Sequence, residues 1–547
     1  MPSDKAGATD LFLRRSTTVF ALLIAAKLFN LVKKILVGKL FGISSVADVF
    51  FAASYLPYCA AVFFEGVIYL GFLPLFSKIM LEKGREEANR FLGNALPVFL
   101  ILTTGLAVIA WLWSPWVVQQ LVPGFKPEQQ DLTVQLFRIM ILVIVFISLC
   151  SFFQALNSYY GRYFIAASSG LTDTLVMIVI LLATYRIWGI YGAAWAAIIS
   201  AGCAVSFQIL SLWSIPQALP NRLLFQPRVF IQLFSILLPM CAIWGLKQIP
   251  IIILNRFGSG MWQGTISAFA ISLGLMIVPT ALVSQTVLIC IFPSLAKQIS
   301  DSTTDDAQKI FSRTLRAAFF ILVPLGFLMC GLARPIAVIF FSGNGIVYEG
   351  TRRIANTLTC FGWAAFVFYA DIFMTQFLIA ARKIKTAIFL GASRAVLTYG
   401  LGYYFIGFLD YKGLALSFSL ALVINFYLMF PLFFRSLRTS EDWKSLCDYS
   451  WKLTIASIPA LIIGVLANLW PLYHWLEISR WWVLLIGLVF VVLSLSLFLY
   501  ILSCFKLEEL NSAIENVKSL WAKRSFGVTR DTNERPVNAD VFNDENL

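Results

Sequence analysis

Residues 17–42 read TTVFALLIAAKLFNLVKKILVGKLFG. The stretch is long and apolar enough to cross a bilayer, yet Lys27, Lys33 and Lys34 lie well inside its ends. A basic side chain at the centre of a spanning helix costs roughly 2.5–3.5 kcal/mol on insertion scales, so it usually faces a partner or a water-filled cavity. This first helix therefore predicts both a membrane fold and a place where function sits.

Outward from it, the whole chain has the same character. Of 547 residues, 59% are hydrophobic, 15% aromatic and only 13% charged. Apolar runs of about 20 residues recur between polar or turn-rich breaks, which gives about fourteen spans by the length rule. The expected class is an all-α polytopic membrane protein. The first sixteen residues are mixed and polar, and the apolar stretch behind them is too long for the core of a signal peptide, so the first helix is expected to be its own targeting signal.

Charge sets orientation. Connections after even-numbered spans hold the larger share of Lys and Arg, among them Lys78, Lys83, Arg85, Arg90, Arg222, Lys297 and Arg382. By the positive-inside rule both termini are expected on the cytoplasmic side. The net charge of +14 is mostly this bias plus a few intramembrane cations, which gives a nucleic-acid partner little support. The cysteines stand singly, most of them in apolar runs, and read as small core residues and not as metal or disulfide sites.

The chain repeats itself. Leu73-Pro-Leu-Phe-Ser-Lys78 is echoed by Phe292-Pro-Ser-Leu-Ala-Lys297, and Arg85-Glu-Glu-Ala-Asn-Arg90 by Thr304-Asp-Asp-Ala-Gln-Lys309; Gln154 matches Gln376 and Gly192 matches Gly413. The offset is nearly the same in every case and amounts to six spans, an even number, so both copies enter the membrane in the same direction. The expected organisation is a cytoplasmic N-terminus (1–16), an N-lobe of spans 1–6 (17–213), a linker (214–228), a C-lobe of spans 7–12 (229–440), two appended spans (441–505), and a cytoplasmic amphipathic helix with a polar tail (506–547). Parallel repeats of this kind usually flank a substrate path and alternate access by rocking.

Charge inside the lobes marks candidate sites. Lys27 and Lys34 share a helix face, with Lys33 about 100° round from Lys34. Span 2 answers with Asp48 and Glu65. Depth allows pairs of Lys39 with Asp48 and Lys27 with Glu65, which leaves cations for an anionic ligand; the alternative is that Lys33 and Lys34 snorkel to the interface. In the second lobe, Asp371 and Arg394 lie at matching depth on adjacent antiparallel helices, and form either an ion pair or, at Asp371, a site for a coupling cation. Asp173 has no cationic neighbour in sequence and reads as hydrogen-bonded, protonated or ion-binding. Pro57 and Pro74 in span 2, and Pro279 and Pro293 in span 8, are gate or kink positions. There is no GxxxxGK[ST] loop and no metal-ligand pattern, and His474 is the sole histidine. Neither an enzyme nor a direct ATP-driven pump is expected, and no cofactor beyond coupling to membrane potential or a monovalent cation.

Lys39-Leu-Phe-Gly42, Ala47-Asp-Val-Phe-Phe-Ala-Ala-Ser-Tyr-Leu-Pro57, Phe64-Glu-Gly66, Phe72-Leu-Pro74, Pro123-Gly-Phe125 and Ile384-Lys-Thr386 resemble the MurJ/MviN family of the multidrug/oligosaccharidyl-lipid/polysaccharide exporter superfamily. The resemblance implies a flippase that moves lipid II, the undecaprenyl-linked peptidoglycan precursor, from the inner to the outer leaflet of a bacterial cytoplasmic membrane. Its implied partners are a polyprenyl-diphosphate-linked glycan lipid, membrane lipids and cell-wall synthesis proteins. It also implies a cationic central cavity, in which Lys27, Lys33 and Lys34 are the expected substrate-binding residues, and a hydrophobic groove beside the last two helices. The family's two functional arginines on the first helix fall on Lys27 and Lys33, and its aspartate on the second helix falls on Asp48. Two departures stand out: Ala60 and Ala61 replace a basic pair, and the neutral run Ser272 to Val278 replaces a charged cluster. A flippase for another polyprenyl-linked oligosaccharide, such as an O-antigen or exopolysaccharide unit, and a transport-silent membrane scaffold are the competing readings.

Overall fold

In the computed structural model the described residues are 3–215, 218–220, 222–223, 226–290, 304–341, 348–381, 383–436, 443–469 and 480–504. Every regular element among them is helical: α1 (Ser3–Phe41), α2 (Ser45–Val67), a π-helical turn (Ile68–Phe72), α3 (Leu73–Leu112), α4 (Ser114–Leu121), α5 (Pro127–Met140), α6 (Val143–Tyr159), α7 (Tyr163–Trp213), α8 (Pro227–Gly258), α9 (Thr265–Cys290), α10 (Thr304–Gly331), α11 (Ala333–Phe341), α12 (Tyr348–Gly362), α13 (Ala365–Ala380), α14 (Ile384–Ser436), α15 (Trp443–Leu469) and α16 (Arg480–Cys504). In lipid, backbone groups must be paired within the segment, which leaves an apolar chain of this composition little but helix.

Among the described residues, eight helical stretches are individually long and apolar enough to cross a membrane, or nine if α12 and α13, bent by 53°, form one span. Two of these, α7 and α14, are folded-back pairs. Gly189 interrupts α7 with φ 52° and ψ −131°, and Asp410 interrupts α14 with φ 53° and ψ −138°. A Cβ on Gly192 would lie 2.7 Å from the Thr184 hydroxyl, and one on Gly413 would lie 2.3 Å from the Phe405 carbonyl oxygen. Residues eight apart on a straight helix are about 12 Å apart, so the chain reverses at both places. Counting both pairs twice and adding α1, α8 and α15 accommodates the fourteen segments expected. The two breaks are themselves separated by the repeat offset, as are Gly192 and Gly413.

Two apolar cores organise the molecule. The first joins α2–α7, the π turn and Val37 of α1, with Phe72 at its centre: its ring lies 4.6 Å from Phe152 and 5.8 Å from Phe76, centroid to centroid. The second joins α8–α10 and α12–α16, with the Phe311 and Phe373 rings stacked 5.0 Å apart. A smaller cluster of Ile35, Ile271, Phe341 and Leu358 ties α1 to α9, α11 and α12. The expected second-span proline Pro57 lies buried inside α2, Pro74 opens α3 just after the π turn, and Pro279 lies inside α9. Pro293, His474, the amphipathic segment and the polar tail lie outside the described residues.

Candidate functional site

The first helix delivers its lysines to two different places. Lys33 and Lys34 border a cavity of about 400 Å³ between the halves, lined by α1, α2, α8 and α9, with one contact from α7. Lys27, two turns earlier, borders a second pocket of about 200 Å³ in the N-terminal half, with Glu65 and Asp173, and both Lys27 and Glu65 are exposed. The three lysines thus line two neighbouring pockets along α1. Lys27 and Lys34 do share a face, but seven residues rise about 10 Å along the axis, and at Lys27 that face meets α6 and α7 where at Lys34 it meets α9.

In the central cavity, Lys33 is only 8% exposed, so it is held inside and does not snorkel to the interface. Its Nζ lies 5.5 Å from the Tyr58 ring centroid, a cation–π contact that stabilises charge without neutralising it. Lys34 lies against Gly274 of α9, where a Cβ would come within 3.0 Å of its Nζ; the glycine makes room for the lysine. Among the described residues neither lysine enters an ion pair. Tyr55 Oη lies 3.0 Å from the Gln248 carbonyl oxygen and 3.1 Å from its Oε1, and Cys59 Sγ donates to the same Oε1 at 3.4 Å. These contacts join α2 to α8 along the cavity wall. The remainder of the wall is largely apolar, Phe269, Leu273 and Ile277 among it.

The face bearing the turn at Gly42–Ser44 is closed. Asp48 is 3% exposed, and its Oδ2 accepts from Gly264 N at 2.6 Å while Oδ1 accepts from Ser267 N at 2.7 Å. The carboxylate thus caps α9, satisfying orphan donors and opposing the positive end of the helix dipole. Asp48 therefore takes its partners from the other half of the chain and not from Lys39, as depth alone had suggested. Beside it Gly264 (φ 88°) packs on Ile43, and a Cβ on Gly124 would fall 2.4 Å from the Gly260 backbone. Gly124 N donates to Ser259 Oγ at 3.1 Å, and Arg256 donates to the Gln120 carbonyl at 2.6 Å.

Lys27 and Glu65 share the smaller cavity without closing to the ion pair that their depth allowed. Asp173 accepts from Ser200 Oγ at 2.8 Å through Oδ1. In the C-terminal half the Asp371–Arg394 pair forms, at 3.0 Å, and a third member joins it: Lys247 Nζ lies 2.7 Å from the same Asp371 Oδ2 and donates to the Asp371 carbonyl at 3.0 Å. Arg394 also lies between the Phe368 and Phe418 rings, 5.9 and 5.3 Å from their centroids. Sequence reasoning missed Lys247, although the repeat pointed to it, since it lies one repeat offset after Lys27.

A family model described as "Lipid II flippase MurJ" matches residues 37–486. The chain belongs to the MurJ family. Among its curated relatives, a probable lipid II flippase MurJ of Buchnera aphidicola subsp. Schizaphis graminum is 21% identical over 423 residues, 76% of this chain and 82% of the relative. The lipid II flippase MurJ of Burkholderia cenocepacia is 22% identical, covering 76% and 83%. A solved lipid II flippase MurJ in an inward closed conformation superposes with a TM-score of 0.72 at 19% identity, covering 89% of this chain and 98% of that one. An inward-facing multidrug resistance MATE family transporter superposes at 0.63 and 14% identity, covering 76% and 96%. These structural likenesses show a transporter fold, and MurJ membership together with the apolar helices makes the chain an integral membrane protein.

Proposed function

We propose that this protein is a flippase for lipid II, carrying it from the inner to the outer leaflet of the cytoplasmic membrane by alternating access. The observation that carries the proposal is the central cavity: two lysines with no acidic partner among the described residues, placed between the halves and sealed at one face. A cation left uncompensated inside a membrane protein is costly, and a diphosphate headgroup supplies the missing charge. Lys33 and Lys34 act as point charges, and the Tyr58 ring holds Lys33 in place.

In this mechanism the headgroup enters from the cytoplasmic side while the Asp48 cap keeps the opposite face shut. The polyprenyl tail stays in lipid beside α15 and α16. Rocking of the two halves breaks the cap, parts Gly124 from Gly260 and exposes the headgroup outside. The π turn at Ile68–Phe72 and Pro57 let α2 bend during this motion, because each frees backbone groups that a regular helix would lock. No covalent chemistry is needed. Membrane potential or an ion gradient supplies the driving force, and both termini face the cytoplasm.

One observation favours a second substrate of the same class. Ser272, in the segment where the resemblance implied charge, instead donates to the Ile354 carbonyl at 3.1 Å, so α9 offers the headgroup no cation there and a different polyprenyl-diphosphate-linked glycan would fit the same lysines. Complementation separates the readings. A bacterium depleted of its own lipid II flippase and expressing this chain should regain growth and lipid II exposure at the outer leaflet. Failure of a correctly inserted protein to do so would refute lipid II as the substrate.

A further inference from the structure

Both lysines of the central cavity belong to α1, so the charge that meets a headgroup comes from the N-terminal half alone. A headgroup held by one half gains nothing from the approach of the other, and an equilibrium shifts only through contacts that differ between its states. The C-terminal half lines the cavity with α8 and α9, and the side chains it sets there are apolar except for Gln248 and Asn255 of α8. Asn255 turns its amide onto its own helix, where Nδ2 donates to the Ile251 carbonyl at 2.9 Å. Gln248 is held differently.

Its side-chain oxygen is engaged by α2. Cys59 Sγ donates to Oε1 at 3.4 Å, and Tyr55 Oη lies 3.1 Å from the same atom. A primary amide carries two acceptor sites on oxygen and two N–H donors on nitrogen, so holding the oxygen toward α2 turns the nitrogen elsewhere. Nε2 has no hydrogen-bond partner among the described residues and is not sealed off; it opens on the cavity that Gln248 lines. The rotation of α8 that puts it there is fixed from within the C-terminal half. Lys247, about 100° round the helix from Gln248, is tied to Asp371 at 2.7 Å.

We propose that Gln248 is the C-terminal half's contact with the substrate headgroup. Its Nε2 donates to an anionic oxygen of the diphosphate that Lys33 and Lys34 hold from α1, and Tyr55 and Cys59 are positioning residues that keep the amide turned that way. Only the identity of the anion rests on the function proposed above. Two lysines already supply charge, and a neutral amide adds a directional bond while costing far less inside the membrane than a further cation would. The headgroup then bridges α1 and α8, a contact across the halves that the neutral α9 does not offer.

Binding of farnesyl diphosphate to the full-length protein in lipid nanodiscs, read by microscale thermophoresis at several salt concentrations, tests this contact. Gln248→Met keeps the volume and removes the donor. Gln248→Glu keeps the oxygen that Tyr55 and Cys59 engage and replaces the nitrogen with a second oxygen. Each should weaken binding roughly 10- to 100-fold. In Gln248→Met the salt dependence of the affinity should stay as in the original, because no charge is removed, whereas Lys33→Ala should flatten it. Tyr55→Phe, which frees the amide to turn, should weaken binding about threefold or more. The three substitutions perturb packing in different ways, and thermal unfolding identifies those that fold. Affinity within twofold of the original in a folded Gln248→Met or Gln248→Glu protein would overturn the assignment of Gln248 and leave the flippase reading standing. A wild-type protein that does not bind the diphosphate would overturn both. Failed complementation alongside the expected binding losses would refute lipid II and leave Gln248 in place, since every polyprenyl-diphosphate-linked glycan presents the same group.

Discussion

Replacing Asp48 by asparagine tests what holds the closed face shut. Both carboxylate oxygens accept backbone N–H groups of the opposite half, at 2.6 and 2.7 Å, in a site that is 3% exposed. Hydrogen bonds to an ionised acceptor are worth about 1.5–3 kcal/mol each, and the helix terminus adds about 0.3–1 kcal/mol. Asparagine keeps one acceptor and turns its amide toward the other N–H, so roughly 2–4 kcal/mol of closure should be lost. In the proposed mechanism these contacts are lost when this face opens, and the whole loss therefore falls on the closed state. It should shift the closed-to-open ratio by roughly 30- to 700-fold. Spin labels on Lys126 and Gln263, both exposed, in a cysteine-free background would report the distance across this face by electron paramagnetic resonance. A new longer-distance population is expected in Asp48→Asn, together with reduced transport. An unchanged distance distribution would refute the assignment of the Asp48 cap as the lock.

In the central cavity, Lys33→Ala and Lys34→Ala should each lower outer-leaflet exposure of lipid II at least about tenfold, while Lys33→Arg, which keeps both the charge and the contact with Tyr58, should stay within a few-fold of the original. Asp371→Ala should cost about 3–5 kcal/mol in thermal unfolding, because it strands two buried cations; Lys247→Met, which leaves the Asp371–Arg394 pair intact, should cost less than half of that. Gly413→Ala should cost at least about 2 kcal/mol, since its Cβ would meet the Phe405 carbonyl at 2.3 Å, whereas Gly105→Ala, which meets nothing within 4 Å, should be neutral or stabilising by up to about 1 kcal/mol. Asp410→Gly should match or exceed the original stability despite losing the Trp262 hydrogen bond of 3.0 Å, because the backbone there is of the kind that costs a side chain about 1–3 kcal/mol.

Helix content, segment lengths and the repeat were legible because each depends on the chain's own periodicity and length. Asp371 with Arg394 was legible for a similar reason: two charges flanking one short turn have few other places to go. Asp48 was not, since its partners are backbone N–H groups far along the chain, at Gly264 and Ser267, and no side-chain pattern announces a free helix terminus. The reversal at Asp410 was legible as the break between spans 384–408 and 412–434; what was hidden is the residue that makes it, an aspartate in the kind of backbone conformation that a glycine takes at position 189. The division of Lys27 from Lys33 and Lys34 depends on which helix each turn of α1 meets, and a helical wheel carries no information on that.

The repeat also explains why equal positions came to differ. An ancestral pair of equivalent sites gives both halves a lysine on the first helix and a charged residue on the fifth. Once the C-terminal copy holds Arg394 where the N-terminal copy holds Asp173, its carboxylate is saturated from within and its helices are pinned together by contacts of 2.7 and 3.0 Å. The other half has Lys27, Glu65 and Asp173 around a pocket and no such closed triad among the described residues. A carrier needs one half to serve as a fixed frame and the other to respond, because an equilibrium moves only through contacts that differ between its two states. Here α8 links the two: Lys247 anchors it in the closed triad, and three residues earlier Trp244 touches Gly66 of α2.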